Sequence, residues 1–548
     1  MSKRTLFLCE KPSQARILAK LLGADQYEDG AHHNEDVNVI VTNAFGHMLN
    51  LAMPELYIGD GQWKLEDIPF LPEQWRWTIN DKSGSQYHAI GRWLKKVDRV
   101  VIASDPDDEG EVLAREVLLA HQFKGNVFRL WASALDPDSL NAALENLLPV
   151  SATDSYYRAG RMRRLLDWLY GMNLSRGFSI KFDRTVHIGR VKTRLLSELV
   201  KREDKIDAFK PTPFHKVAAT VGNSWLEYVN TGMVYLDDDE QTELLSLSGT
   251  TGLCVSYDIG VEQVFPPLPY TLSALLADAA NLEISLTNGY QATQTLYELG
   301  AVSYPRTSST SLPGHGKKGF AVHSAITTTG ILPSIASPDM RLIYSLISQN
   351  MLANEAGAAK VHHRLRRFEF GTHTFQLSEK WVDPKNTGFI PLVANSRIPA
   401  MEKLSALLNG RSSVAIRKGE AVELGEVRIE QHRTEEPPRY DEASLLTMMA
   451  NNGIGTEATR VEAINSLTRD KVAVSLTQMD DYEHKLGLPN IIKPTQWGRS
   501  LHSSLPPAVT GQHMVVHVSA ATEAARRGDP NLNQHLLLAA QWLLKTIR

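Results

Sequence analysis

Short apolar runs of β-favouring side chains alternate with amphipathic helical patterns through the first part of the chain, and nothing else in the sequence constrains the fold as strongly. TLFLC reads as a strand, QARILAKLLG as a helix closed by Gly23, VNVIVTNA and RVVIAS as further strands, and EVLAREVLLA as another helix. That rhythm builds a parallel sheet with covering helices. A mainly helical stretch follows to about residue 215, and alternating patterns such as FHKVAATV and GLCVSYDI then predict a β-rich region. PPLPY at 266–270 punctuates the chain, helical patterns resume on either side of Tyr304, and a second β-like tract runs from about Arg364 to Leu424, broken by VDPKNTGF. From Pro437 onwards the pattern is helical. The β-rich pieces are separated by a helical insertion, so the chain is expected to leave one domain and re-enter it. With 548 residues, it exceeds what one hydrophobic core usually supports.

The strand ends carry the chemistry. Glu10 stands immediately after TLFLC, and Asp105, Asp107 and Glu109 follow RVVIAS in the string ASDPDDEGE. In an open α/β sheet, ligands bind in the crevice at the carboxyl ends of the strands, where these four acids converge. Carboxylates so placed repel one another unless a cation sits among them, and hard oxygen ligands with room for water suit Mg²⁺. An acidic turn opening a helix would explain DPDDEGE alone, because the helix dipole favours acids there. Glu10 tips the balance towards a metal site. Lys11 adds a cation of the kind phosphoryl transfer requires.

The formal net charge of −4 would not suggest a nucleic-acid partner, but the charge is uneven. From Arg158 to Lys205 thirteen Lys and Arg face five Asp and Glu, a local +8 that leaves −12 for the rest. Tyr157, Trp168, Tyr170 and Phe178 are interleaved with these cations, a combination that suits a phosphate backbone and unstacked bases. Only two cysteines occur, Cys9 and Cys254, so neither a disulfide framework nor a four-cysteine zinc module is expected. No apolar run reaches membrane-spanning length and MSKRTLFLCEKPS turns charged too soon for a secretory signal, so no membrane is expected and the default address is the cytoplasm.

LCEKPSQA together with ASDPDDEGE resembles the TOPRIM domain shared by type IA and type II topoisomerases, primases and some nucleases. LGAVSYPRTSS selects among them, because it resembles the tyrosine motif of type IA DNA topoisomerases, of the topoisomerase III kind. The resemblance makes Tyr304 the nucleophile, Arg306 a holder of the scissile phosphate, and His323, in HSAITTTG, a phosphate contact or proton shuttle. Glu10 would transfer a proton to and from the leaving 3′ oxygen, while Asp105, Asp107 and Glu109 hold Mg²⁺. No GxxxxGK[ST] loop is present, in keeping with strand passage without ATP.

RAGRMRRLLDWLYGMNLSR, HIGRVKTRLLSELVKRE and PPRYDEASLLTMMANNGIGTEATRVEAI resemble the family's DNA-binding body. By that resemblance Arg164, Arg176, Arg190, Lys192, Arg439, Thr459 and Arg460 contact the strand. The implied architecture is multidomain, α/β plus α plus β, and toroidal. It comprises a TOPRIM domain at 1–150, a helical DNA-binding domain at 151–215 and 425–548, a β-rich arch at 216–280 and 365–424, and a helical domain with the tyrosine at 281–364. Single-stranded DNA, from negatively supercoiled or gapped duplex, is the expected substrate, and a backbone-reading groove need not exclude RNA. The cysteine-rich modules of many relatives are missing, so a helicase or single-strand-binding protein is the expected partner for extra strand holding. Three positions depart from the family pattern: Asp108 stands for the usual Arg, adding negative charge at the metal site, Ser308 for Asp, and Lys192 for Gln. They leave open a decayed DNA-binding clamp, and the acids alone a TOPRIM primase or nuclease.

Overall fold

The computed structural model describes residues 4–59, 63–229, 234–313, 323–393, 398–409, 416–475 and 491–548. Its first sheet is built from β1 (Thr5–Cys9), β2 (Gln26–Glu28), β3 (Ala31–Asn34), β4 (Val39–Asn43), β7 (Arg99–Ala103), β8 (Asn126–Arg129) and β9 (Leu148–Pro149). A small ribbon of β5 (Leu49–Leu51) and β6 (Trp77–Ile79) lies apart from it. The strand order is β2-β3-β4-β1-β7-β8-β9. The four central strands are parallel, as the pattern predicts, and antiparallel pairings of β2 with β3, β3 with β4 and β9 with β8 extend the sheet at its edges. The cause is local. Asp29 and Gly30 take φ of 47° and 70°, the two positive values of a tight hairpin turn, and two residues cannot make a parallel crossover.

Helices cover both faces. Leu6, Leu8, Val100 and Ile102 point to one side, against Ile90 from Gly84–Leu94 and Leu113 and Val117 from Asp108–Ala120. Phe7, Val41 and Val101 point to the other, against Ala15, Leu18 and Ala19 of the helix Pro12–Leu22. That helix starts with Pro at its first position and ends at Gly23, left-handed at φ 71°.

A second sheet contains β10 (Pro213–Val221), β11 (Ser224–Tyr228), β12 (Thr251–Val264), β13 (Ala359–Phe370), β14 (His373–Val382), β15 (Ala421–Glu423) and β16 (Val427–Arg433), in the order β15-β12-β13-β14-β11-β10-β16. Neighbouring β12 and β13 are joined through residues 265–358, which hold the helices Leu272–Asn281, Leu286–Glu298 and Pro338–Ala356. One large core joins these helices to the body formed by Asp154–Phe182, Arg190–Asp207 and the C-terminal helices, and it includes Val302 and Tyr304. The tract after Pro437, read as helical, also contains β17 (Tyr440–Asp441), β18 (Ala473–Ser475) and β19 (Ile491–Pro494), strands too short to carry an alternation signal. Residues 476–490 of that tract lie outside the described residues.

Candidate active site

β1 and β7 pair in parallel with Cys9 opposite Ala103, so the chain beyond each strand brings Glu10 beside Ser104 and Asp105. Asp107 caps the helix Asp108–Ala120 by accepting from Gly110 N at 2.7 Å. Gly110 is needed there: a β-carbon would stand 2.2 Å from the Asp105 carbonyl oxygen. Beneath this turn the fully buried Arg129 donates to the carbonyls of Ser104 (2.9 Å) and Asp105 (2.7 Å) and pairs with Glu111 at 2.6 Å. The Asp105 carboxylate accepts from Lys11 Nζ at 3.0 Å and from Gln14, whose amide oxygen takes the Glu10 backbone N–H at 3.2 Å. Sequence reasoning passed over Gln14, Glu111 and Arg129. Glu111 had a signal, as the last acid of ASDPDDEGE. Gln14 sits four residues past Glu10, one helical turn on.

Tyr304 arrives from the far side of the chain. It follows the helix Leu286–Glu298, its backbone N–H donates to Ser133 O at 2.7 Å, and its hydroxyl donates to Asp107 Oδ2. The phenol is 2% exposed, packed edge-on against Tyr297 at 5.6 Å and beside His323 at 4.9 Å. His323 donates from Nε2 to the Pro106 carbonyl at 2.5 Å, an acceptor-only partner that fixes the proton on that nitrogen. The Arg306 guanidinium lies 3.9 Å from Asp105 and 3.8 Å from Asp107. A second bridge joins the same pieces: Ser13 donates to Glu298 at 2.9 Å, and Lys11 Nζ lies 3.8 Å from that carboxylate. The structure therefore brings Glu10, Lys11, Asp105, Asp107, Tyr304, Arg306 and His323 together. Ser308 is exposed.

Burial, reinforced by the Asp105 charge, pushes the Glu10 carboxyl up to about 8, although Lys11 pulls it down. Burial and the Asp107 charge raise the Tyr304 phenol well above its usual range, so it stays neutral until something takes its proton. Burial and Asp107 also raise Glu109. Among the described residues, no group of three His, Cys, Asp or Glu side chains is gathered closely enough to hold a metal ion as it stands, because Lys11 and Arg306 lie between the acids. The donor set nevertheless fits a hard cation. Glu10 Oε2 is buried with no hydrogen-bond partner, and its neighbours are carboxylates that a cation would relieve.

Asp108 is paired: its carboxylate accepts from Arg526 Nη2, 2.8 Å from both oxygens, and from Arg163 at 3.2 Å, which offset its charge, while that charge still helps to raise Glu109. Two of the interleaved aromatics are corrected: Tyr170 and Phe178 are core residues, because the long helix Asp154–Phe182 is packed on several sides by Asp108–Ala120, His513–Arg527 and Leu532–Ile547. The expected strand contacts mostly hold acids in this state. Arg164 pairs with Glu116, Arg176 with Glu55 at 2.7 Å, Arg190 with Asp167 at 2.7 Å, Lys192 with Asp470 and Arg439 with Glu203 at 2.9 Å. Arg460 is buried, pairs with Glu457 at 2.6 Å and donates to the Ile454 carbonyl, while Thr459 accepts from Thr456 N at 2.9 Å; both tie down the GIGT turn.

A carboxylate cluster stands at the strand ends of an α/β domain, with a buried tyrosine hydroxyl delivered onto it from elsewhere in the chain. A Toprim domain matches residues 5–135, and the DNA topoisomerase family model matches residues 151–322 and 313–479. The chain belongs to the DNA topoisomerase family, as an ATP-independent type IA enzyme with an N-terminal Toprim domain, which is a metal-binding domain, and with single-stranded DNA as its ligand. It is similar to the DNA topoisomerase 3 of Bacillus subtilis, 27% identical over 85% of this chain and 72% of the relative, and to that of Bacillus licheniformis, 28% identical with the same coverage. Its fold is that of full-length topoisomerase I from Thermotoga maritima, with a TM-score of 0.78 at 20% identity, covering 99% of this chain and 90% of that one. A primase or nuclease reading is not favoured.

Proposed function

We propose that this chain, an enzyme of the topoisomerase III kind, cuts one DNA strand with Tyr304, lets another strand pass, and reseals the break, so relaxing negative supercoils and decatenating DNA. The observation that carries the reading is the Tyr304 hydroxyl on Asp107, a nucleophile and an acid 197 residues apart made into one site. The phenolic oxygen attacks the scissile phosphorus, its proton leaves towards Asp107, and the bond to the 3′ oxygen breaks. Glu10, still protonated at neutral pH because its carboxyl is pushed up to about 8, gives that oxygen a proton. On religation the 3′ hydroxyl attacks the 5′ phosphotyrosine, Glu10 takes its proton back, and the bond from phosphorus to the Tyr304 oxygen breaks as that oxygen recovers its proton from Asp107. Arg306 and Lys11 neutralise the charge on the phosphate, the former through a planar fork. Mg²⁺ held by Asp105, Asp107 and Glu109, with Glu10 beside them, would orient the phosphate and offset the acids. His323, with its Nε2 committed to a carbonyl, acts by holding the tyrosine ring.

The division into a TOPRIM domain (1–150), a helical DNA-binding domain (151–215 and 425–548), an arch (216–280 and 365–424) and a tyrosine domain (281–364) is supported by the two separate large sheets. In this scheme the arch lifts the tyrosine domain to open the gate. Arg164, Arg176, Arg190, Lys192 and Arg439 exchange their acids for backbone phosphates when a strand arrives, whereas Thr459 and Arg460 shape the GIGT turn beside it. Bacterial relatives and a DNA substrate support a cytoplasmic address, on nucleoid or plasmid DNA. The test is incubation with labelled single-stranded DNA and Mg²⁺ followed by denaturation. Label should appear on a Tyr304 peptide and be absent from Tyr304→Phe, which should still bind DNA; an adduct in the Phe variant sinks the assignment.

A further inference from the structure

A line of rings leads away from Tyr304 and ends on cations that the reaction above does not use. His323 lies 4.9 Å from Tyr304, and Trp131 stacks on His323 at 5.8 Å with planes 20° apart. Tyr156 tilts against Trp131 at 4.9 Å, and the Arg526 guanidinium lies 5.0 Å from the Tyr156 ring centre. Beyond it, Asp108 holds Arg526 at 2.8 Å and Arg163 at 3.2 Å. Beside the first rings lies an open cavity of about 500 Å³, lined by Trp131, Ser133, Asn146, Ser303, Tyr304 and His323 among others.

The arrangement has more cation than a structural ion pair needs. Arg526 and Arg163 share Asp108, and the exposed Glu523 lies 3.9 Å from both Arg526 and Arg527, so three guanidiniums face two carboxylates; the Arg526 side chain is 33% exposed whereas that of Asp108 is 11% exposed. Three chain segments are locked together at this point. Gly160 lets the helix Asp154–Phe182 approach so closely that a β-carbon there would stand 2.5 Å from the Asp108 carbonyl oxygen, and Arg158 donates to Ala525 O at 3.1 Å. Arg526, on the helix His513–Arg527, is thereby delivered to the helix start that carries Asp107 and Glu109. The half-buried Trp131 lines the cavity beside the nucleophile, with the Arg129 guanidinium 4.9 Å from its ring centre. Rings beside a backbone-binding cation are what a single strand needs: every base has a face to stack, and each phosphate carries a charge.

We propose that Trp131, Tyr156 and Arg526 form a further holding site for the cut strand, in which bases stack along the rings and a backbone phosphate displaces Asp108 from Arg526 and Arg163. The site rests on the strand-cutting reading. In this site Asp108 holds the Arg526 guanidinium in place until DNA arrives. Asp108 is then a positioning residue.

The site is tested by binding of a fluorescent oligodeoxynucleotide in EDTA over a salt series, with a thermal melt of each variant. Arg526→Ala should weaken binding and reduce the slope of log affinity against log salt by roughly 0.7, one phosphate contact on a single strand. Asp108→Arg in the Arg526→Ala background returns a guanidinium to the same spot and should restore both quantities. Oligonucleotides with one abasic position, moved stepwise from the cleavage point, should bind wild type about fivefold or more weakly at one or two positions and show no such dip with Trp131→Ala. Wild-type affinity and slope in Arg526→Ala overturn the proposal, whether or not the melting temperature falls, and so does an abasic profile that Trp131→Ala leaves unchanged. A wild-type chain that binds in this manner and forms no covalent adduct overturns the strand-cutting reading and leaves the holding site standing.

Discussion

Glu10→Gln removes one titrating proton from a buried site and changes little else in shape, and its effect can be worked out before any DNA is added. In the folded chain the carboxyl is pushed up from 4.5 to about 8, so across that window the folded state binds a proton that the unfolded state has released. Stability from this group is therefore greatest at low pH and falls as pH rises, by about 1.4 kcal/mol per pH unit. Gln at this position does not titrate and lacks the slope. For a cooperative unit of 150–250 residues, 1 kcal/mol moves the melting temperature by roughly 2–4 °C. Between pH 6 and pH 8, in EDTA and without DNA, the Gln variant should gain on wild type by roughly 3–6 °C for each pH unit. Contributions of titrating groups that do not interact with Glu10 cancel in the comparison. Melting curves for the two proteins that stay parallel over this range would refute the buried, protonated Glu10 and with it the proton donor of the mechanism. The same variant should lose about 10²- to 10⁴-fold in cleavage rate at neutral pH, not recovered by added Mg²⁺. In wild type, cleavage should decline as pH passes about 8.

Asp107→Asn keeps the helix cap, because Asn accepts from Gly110 as well, but weakens cation binding and cannot take the Tyr304 proton; cleavage followed across a Mg²⁺ titration should need more metal and stay below wild type at saturation, and full recovery would show that Asp107 takes no part in the proton step. Glu111→Leu leaves the buried Arg129 without its counter-ion and should cost about 3–5 kcal/mol by denaturant unfolding, whereas Glu111→Gln should cost less; equal stability of Leu and wild type would show that the backbone carbonyls alone hold Arg129. Relaxation of plasmid should be independent of ATP, fall steeply with salt and favour negative supercoils. Opening duplex costs about 1.4 kcal/mol per base-pair step, which negative supercoiling offsets. Efficient relaxation of a positively supercoiled plasmid lacking any single-stranded region would show that the groove accepts duplex.

The acids were legible because a strand end is a sharp signal: the apolar runs stop at Cys9 and at Ala103, and the residues that follow lie at the carboxyl ends of neighbouring strands. Local hairpin chemistry was present too, in Asp29–Gly30, and it sets an antiparallel pairing beside the parallel centre. Tyr170 and Phe178 misled because their helix alternates basic and aromatic residues, as a DNA groove would, while being packed on several sides. The contacts of Asp108 could not be read at all. Arg163 and Arg526 lie 55 and 418 residues away, and sequence spacing carries no information about which of many arginines a carboxylate will meet. The same holds for Lys192 and Asp470, 278 residues apart.

Tyr304 is fastened to the acidic site at both ends, by its amide on Ser133 and its hydroxyl on Asp107, while Ser13 and Glu298 close the seam beside it. None of these contacts can outlast a separation of the two surfaces. In the proposed scheme an open gate would hold half of the chemistry on each jamb: the severed 5′ end would ride away on the tyrosine, and the proton donor would stay behind with the 3′ hydroxyl. Such a molecule would work as an interlock, in which the door that lets a strand through also disarms the cutter, and only shutting it rearms the repair.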